Sequence, residues 1–372
     1  MNVFIERALG SPTATGRVVG LDITRGLAIL GMFTAHMWVS PGVPTPVIPA
    51  LAHGRSAPLF AFVAGLTLGL IYDSAQLHLR RPAVWFRVRL AARACYLILI
   101  CAFLYPFNER ILLILDNYGV WFLLCLPLVG LSVRGLLITS ALLIFAGIPV
   151  FHVLQSCVLP TPVRIGLGLD DYLIPAYLAY MLVGLALWRL GLVAPPEKSL
   201  LQVSRRQNIL ALTGFGGAAI LYAIGTLLDS WRLRSLSPAI LDRNEFMDPQ
   251  FNTTTFWYKT FLYIAPHSDS ILETLANLSW CVGLTSLILL LPPRLSRWFA
   301  PVAALGSMAL SAYSAHILWH GASWETLNYA GLFPSYVIMV PVFLVAATLW
   351  RNRFRRGPLE ALLHLITSHI GH

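Results

Sequence analysis

Ten runs of about 20 mostly apolar residues, beginning near Gly20, Ala57, Leu90, Ile111, Leu136, Tyr172, Asn208, Ile271, Pro301 and Pro334, constrain this chain more than any motif in it. In hydrocarbon a backbone has no hydrogen-bond partner but itself, so the expected fold is all-α, a polytopic membrane protein of about ten transmembrane helices. Composition agrees: of 372 residues 57% are hydrophobic and 11% charged, with a mean hydropathy of +0.72, whereas roughly a quarter of a soluble domain is charged. Collagen, a disordered tail and a disulfide-stapled secreted domain are excluded. Cys95, Cys101, Cys125, Cys157 and Cys281 show no CxxC spacing, and four lie in apolar runs, so they read as small buried hydrophobes.

The net charge of +10 would point a soluble protein toward nucleic acid. In a chain this apolar it reflects arginine-rich cytoplasmic loops, and no nucleic acid is expected as a partner. With the amino terminus inside, 17 of the 26 basic residues fall in inner segments and 7 in outer ones, while Arg25 and Arg93 lie within or at the ends of helices. Both termini are then cytoplasmic. The first sixteen residues are too polar for the core of a cleavable signal peptide, so the first helix doubles as the insertion signal.

The same assignment places two long loops outside, residues 40 to 56 and residues 230 to 270. The second mixes aromatic residues with both signs of charge, as an ordered cap or re-entrant element over an outer cavity would. The basic segment near Pro195 to Arg206 divides a six-helix half, residues 1–195, from a four-helix half, residues 196–372. The basic cytoplasmic tail of that second half ends in GPLEALLHLITSHIGH, whose Leu359, Leu362, Leu363 and Ile366 recur at helical spacing, as in an amphipathic helix on the inner leaflet. No short-period repeat is present.

Ionisable residues inside apolar runs are costly and need a reason. Asp22 and Arg25, three apart on one helix face, form either a neutralising pair or a functional one. His36 follows Arg25 by eleven residues, about 16 Å along the helix and close to three turns, so both face one side. An arginine suited to phosphate below and an imidazole suited to proton transfer above fit a group transfer across a membrane. His53 and Arg55 precede the second helix in a Gly54-Arg55-Ser56 turn where Ser56 caps and an anion is welcome. Arg80, Arg81, Arg87, Arg89 and Arg93 surround Trp85 and Phe86, either as a topological anchor or as a site for nucleotide phosphates. Asp116, Asn117 and Tyr118 cluster in the fourth helix, and Ser307, Ser311, Tyr313, His316 and His320 in the ninth. His316 and His320 have a metal-compatible spacing but no accompanying carboxylate set, so no metal is expected. No Walker A loop, GxSxG elbow, dinucleotide fingerprint or zinc cysteine spacing occurs, which counts against ATP-driven transport and serine hydrolysis.

Two segments, RVVGLDITRGLAILGMF and GRSAPLFAFVAGLTLGL, resemble the opening of the YeiB-like and heparan-α-glucosaminide N-acetyltransferase-like proteins of the transmembrane acyltransferase superfamily. ILDNYGVWFLLCLPLVGLSVRGLL, APHSDSILETLANLSWCVGL and FRRGPLEALLHLIT resemble that group as well, so the resemblance covers nearly the whole chain. Its most specific pieces are Leu21-Asp22-x-x-Arg25-Gly26 and Gly357-Pro358-Leu359-Glu360. The Arg25 to His36 spacing is similar to that of a related family of integral membrane O-acyltransferases, and Ser311, Tyr313 and His316 are similar to their late Ser-x-Tyr-x-x-His segment. The fragment ALAHGRSAP lacks the tryptophan and following aspartate of the lysosomal enzymes, which leaves His36 and His53 as alternatives for the catalytic histidine.

The resemblance implies an acyltransferase that takes an acetyl or other acyl group from cytosolic acyl-CoA to a hydroxyl or amine of a sugar or glycolipid across a cell membrane, in bacteria the inner one. Arg25, Arg87, Arg89 and Arg93 would hold the acyl-CoA phosphates. His36 or His53 would act as base or transient acyl carrier, with Asp116 orienting it and His316 a second proton-transfer group. Asp22, Arg55, Asn117 and Tyr313 would contact the acceptor. Two other classes remain: a transporter or flippase for a polar or lipid-linked sugar, and a non-catalytic sensor or assembly subunit. Membrane lipids are expected around the chain, and a homodimer is left open.

Overall fold

The computed structural model describes residues 18–37, 51–73, 75, 83–107, 111–156, 172–191, 200–232 and 253–368. The amino-terminal segment, most of loop 40–56, Arg80, Arg81, Cys157, the segment around Pro195 and much of loop 230–270 lie outside the described residues. Within them every regular element is helical. The helices are α1 (Val19–Met37), α2 (Ser56–Asp73), α3 (Ala83–Leu104), α4 (Leu115–Leu128), α5 (Val133–Leu142), α6 (Ile148–Ser156), α7 (Ile174–Arg189), α8 (Leu200–Arg232), α9 (Thr253–Phe261), α10 (Ile271–Leu289), α11 (Pro293–Ser296), α12 (Ala300–Ser307), α13 (Ala309–Arg353) and α14 (Pro358–Ser368).

Each of the ten apolar runs coincides with a helix, yet only six are long and apolar enough by themselves to cross a membrane, or seven if the bent pair α12 and α13 forms one span. The shortfall has physical causes. Asp22, Arg25 and His36 dilute the hydropathy of α1, and α4 and α7 have 14 and 16 residues. All the same, α1 is central: Ile29 and Phe33 are fully buried, and the helix packs against α2, α10, α12 and α13. The hydroxyls of Thr24 and Thr34 donate to the carbonyls of Gly20 and Leu30, each at 2.8 Å, which satisfies them inside an apolar helix.

Two irregularities shape the bundle. Pro149 lacks the N–H that would continue the helix from α5 into α6, and a π-helical stretch, Leu143–Gly147, absorbs the mismatch. The chain also breaks between Ser307 and Ala309, where α12 and the first part of α13 meet at 77°. Glu360, from α14, closes that break. Its carboxylate accepts hydrogen bonds from Leu310 N at 2.7 Å, Ser311 N at 3.2 Å and Ser311 Oγ at 2.5 Å, capping the orphan donors of α13.

The 45 helical residues of α13 are not one rod. Trp319 Nε1 donates to Ser335 Oγ at 2.9 Å, and Ser323 and Ser335 bond at 2.7 Å, whereas residues twelve apart on a straight helix stand about 18 Å apart. The helix therefore doubles back before Pro334, and its two arms are the ninth and tenth apolar runs. Helix α14 forms where the tail's spacing predicts it, with Leu363 buried and Leu362, Leu365 and Ile366 exposed.

A close helix approach sets α1 against α12, where Gly26 and Gly306 let the backbones touch: a Cβ on Gly306 would overlap the Asp22 carbonyl, and one on Gly26 the Val302 carbonyl. Gly306→Ala is expected to destabilise the protein by about 1–3 kcal/mol through overpacking. A lowered thermal midpoint in detergent checks this, and an unchanged one would show that the two helices can separate without cost.

Candidate functional site

Among the described residues, two adjoining cavities lie between the helices around α1. The first, of about 370 Å³, is bordered by His36, His53, His267 and His320 together with Tyr172, Tyr313 and Trp324. The second, of about 240 Å³, is bordered by Arg25, Arg93, Thr67, Ser307 and Glu360 among apolar and aromatic side chains. Met32, Ile114 and Tyr313 line both, so the histidine cavity and the arginine cavity abut at a three-residue throat. All three are nearly inaccessible, and Ile114 N donates to the Tyr313 hydroxyl at 3.2 Å.

In the arginine cavity, Arg25 Nη1 donates to Asp22 Oδ1 at 3.0 Å and to the Gly306 carbonyl at 3.2 Å, and Nη2 donates to Thr67 Oγ1 at 2.8 Å. Asp22 and Arg25 thus form an ion pair, but the guanidinium also ties α1 to α2 and α12 while facing the cavity. Arg93 comes from α3 and makes no hydrogen bond among the described residues. Of the four arginines expected to hold phosphates, these two line the cavity. Arg87 is exposed, and Arg89 stacks 4.3 Å from the centre of the Trp85 ring, so neither borders the cavity. Arg89 shares the face of α3 that carries Arg93 but stands one turn before it, against Trp85, whereas Arg87, six residues before Arg93, is on another face.

In the histidine cavity, His36 Nδ1 and His316 Nε2 are hydrogen-bonded at 2.9 Å, with ring planes only 11° apart. One proton lies between them, and Nε2 is the His36 nitrogen left for other partners. His316 is fully buried behind His36 against Phe33, and its Nδ1 has no partner. His320 is one turn further along α13, its ring centre 6.4 Å from that of His316.

Across the cavity, His53 meets His267 edge to face at 5.2 Å between ring centres. His53 lies in the turn before α2, where burial, and secondarily the Arg55 cation, push its imidazole below the usual value of 6.5. Arg55 itself sits 4.1 Å over the Tyr222 ring and does not border the cavity.

Asp116 and Asn117 line neither cavity: Asp116 Oδ1 accepts from Asn117 N at 2.8 Å and Asn117 Nδ2 at 3.2 Å, a local turn-like arrangement in the first turn of α4. Asp22 likewise serves Arg25 and borders no cavity. The structure therefore joins Arg25 and Arg93 in one chamber, His36, His53 and Tyr313 in the other, with His316 bonded to His36, and sets Arg87, Arg89, Asp22, Arg55, Asp116 and Asn117 apart. Among the described residues no three His, Cys, Asp or Glu gather closely enough to hold a metal ion.

Sequence reasoning passed over His267, Glu273 and Glu360 as site residues. A signal existed for two of them: Ser270-x-x-Glu273 has the form of a capping box before an apolar run, and Glu360 ends the Gly-Pro-Leu-Glu motif. Ser270 does cap α10, accepting from Glu273 N at 3.0 Å. Gly357 is required at its place because a Cβ there would press on the Glu360 carboxylate and Met308.

Six or seven helices long and apolar enough to cross a membrane, among the described residues, define a polytopic helical membrane protein. Residues 250–369 match a family described as "Protein of unknown function (DUF418)", a segment that YeiB-like proteins carry. No curated protein matches the chain. The matched segment supplies His267, His320 and Trp324 to one chamber, Ser307 and Glu360 to the other, and Tyr313 to the throat.

His53 has a lowered pKa in the folded protein, so its contribution to stability is present above pH 6.5 and is lost as the pH falls through the lowered folded value. An NMR titration of ring-labelled protein should place its midpoint below 6.5. Arg55→Gln should move that midpoint upward only in part, because burial is the larger cause.

Proposed function

We propose that the protein is a membrane acyltransferase that passes an acetyl or other acyl group from acyl-CoA in the arginine cavity to a hydroxyl or amine acceptor in the histidine cavity. The observation that carries this reading is the pair of chambers of opposite chemistry abutting at Met32, Ile114 and Tyr313. Guanidinium groups suit the phosphates of a nucleotide thioester, and neutral imidazoles suit the activation of a hydroxyl. His36 stands one helical turn from Met32, so it is the histidine beside the throat. The likeness of the chain's opening to the heparan-α-glucosaminide N-acetyltransferase-like proteins, and the excess of basic residues in the segments that would be inner, support a cytosolic donor and an acceptor on the far side.

In the transfer, the acceptor oxygen bonds to the thioester carbonyl carbon and the carbon–sulfur bond breaks. The hydroxyl proton passes to His36 Nε2 and then to the departing thiolate. His316, bonded to His36 Nδ1, holds the ring in orientation and fixes which nitrogen is free. Arg93 and Arg25 hold the donor's phosphates, and its thioester arm reaches the acceptor past Met32, Ile114 and Tyr313. An imidazole base so placed contributes about 10²- to 10⁴-fold to the rate.

The test uses purified full-length protein in nanodiscs, with acetyl-CoA as donor and octyl β-glucoside as hydroxyl probe. His36→Ala should lower transfer about 100-fold or more while leaving acetyl-CoA binding within about twofold, and Arg93→Ala should weaken that binding about tenfold. Wild-type transfer in both folded His36→Ala and His53→Ala would overturn the mechanism. Vesicle uptake of an unmodified sugar without thiol release would replace it with transport.

A further inference from the structure

The histidine cavity holds a second pair of imidazoles, on two turns that are far apart in sequence. His53 sits beside Gly54, whose φ of 76° is left-handed, and a Cβ on Gly54 would lie 2.8 Å from the Pro266 side chain. His267 and Asp269 are themselves left-handed, with φ of 63° and 49°, although neither is glycine. Such residues cost about 1–3 kcal/mol each and persist only where the surroundings over-determine them.

One buried carboxylate does this. Glu273, in the first turn of α10, accepts from His267 N at 2.9 Å through Oε1, and from Asp269 N at 2.7 Å and Ser268 Oγ at 2.9 Å through Oε2. A capping-box glutamate would reach back to the Ser270 N–H; this one reaches past it to the two left-handed residues. One turn on, Asn277 Nδ2 donates to Glu273 Oε1 at 3.4 Å and to the Gly54 carbonyl at 3.2 Å. The Asn277 Oδ1 accepts from the Tyr222 hydroxyl, beneath the Arg55 guanidinium. The carboxylate and its neighbouring amide thus clamp both turns, and the result is the edge-to-face contact of His53 with His267 inside the cavity.

We infer that His53 and His267 form a two-imidazole site for the acceptor hydroxyl, and that Glu273 is the positioning residue that sets both rings, His267 through its own backbone contacts and His53 through Asn277. A neutral imidazole offers one N–H and one lone pair, so two of them can accept from a hydroxyl and donate to its oxygen together. The acceptor role rests on the acyl-transfer reading. The clamp does not.

Carbethoxylation of His53 and His267 by diethylpyrocarbonate, followed by mass spectrometry on the full-length protein in nanodiscs, tests both parts. Glu273→Gln puts an amide N–H₂ where a carboxylate oxygen accepts, and it should raise the rates at both histidines at least threefold. Asn277→Ala should raise the rate at His53 and leave His267 within about 1.5-fold, a pattern that general loosening would not give. Equal rates in all three proteins overturn the clamp. Octyl β-glucoside should slow modification of both rings in the wild type, and His267→Ala should raise the apparent KM for it about tenfold with the acetyl-CoA KM unchanged. Absence of protection overturns the acceptor site. Protection without any acetyl transfer would instead remove the acyl-transfer reading and leave a hydroxyl-binding site.

Discussion

The structure depends on how one guanidinium is satisfied in the middle of an apolar bundle. Arg25 bonds to Asp22 on its own helix, to Thr67 on α2 and to the Gly306 carbonyl at the end of α12. A cation in this setting must be neutralised and its donors filled, or it costs several kcal/mol. Filling them from three helices turns the requirement into a joint. The Gly306 carbonyl is available because α12 ends one residue later, and Gly26 and Gly306 let α1 come close enough to use it. The same joint forms a wall of the arginine cavity, so the neutralising and functional readings of Asp22 and Arg25 describe one arrangement.

Much of the helical plan was legible because apolar periodicity is a property of the chain itself. The tail helix, the separate run that begins near Pro334 and the helix after Ser270 all follow from residues a reader can point to. The spanning count was less legible: length and hydropathy do not reveal that α4 and α7 are short helices packed around buried aromatic rings such as Trp121 and Tyr177, stacked 4.7 Å apart. Within the site, His36 and Arg25 could be set on one side of one helix from their spacing, but the spacing does not reveal that each borders its own chamber. His36 and His316, or His53 and His267, could not be paired, since their contacts join residues more than 200 positions apart and exist only after packing. Arg87 and Arg89 show the converse: they cluster with Arg93 in sequence, yet only Arg93 borders the cavity.

The break between α12 and α13 connects these features. Within three turns α13 carries Ser311, which Glu360 caps, then Tyr313 in the throat, then His316 bonded to His36 and His320 in the upper cavity. From Ser311 to His316 the rise is about 7.5 Å. Less than two helical turns therefore hold the Glu360 cap, the Tyr313 bond to Ile114 N and the His316 bond to His36 in a fixed order. Glu360 also borders the arginine cavity beside Arg93. A single helix start thus sets residues of both chambers, and Tyr313 between them, at heights fixed by the helical rise rather than by a loop.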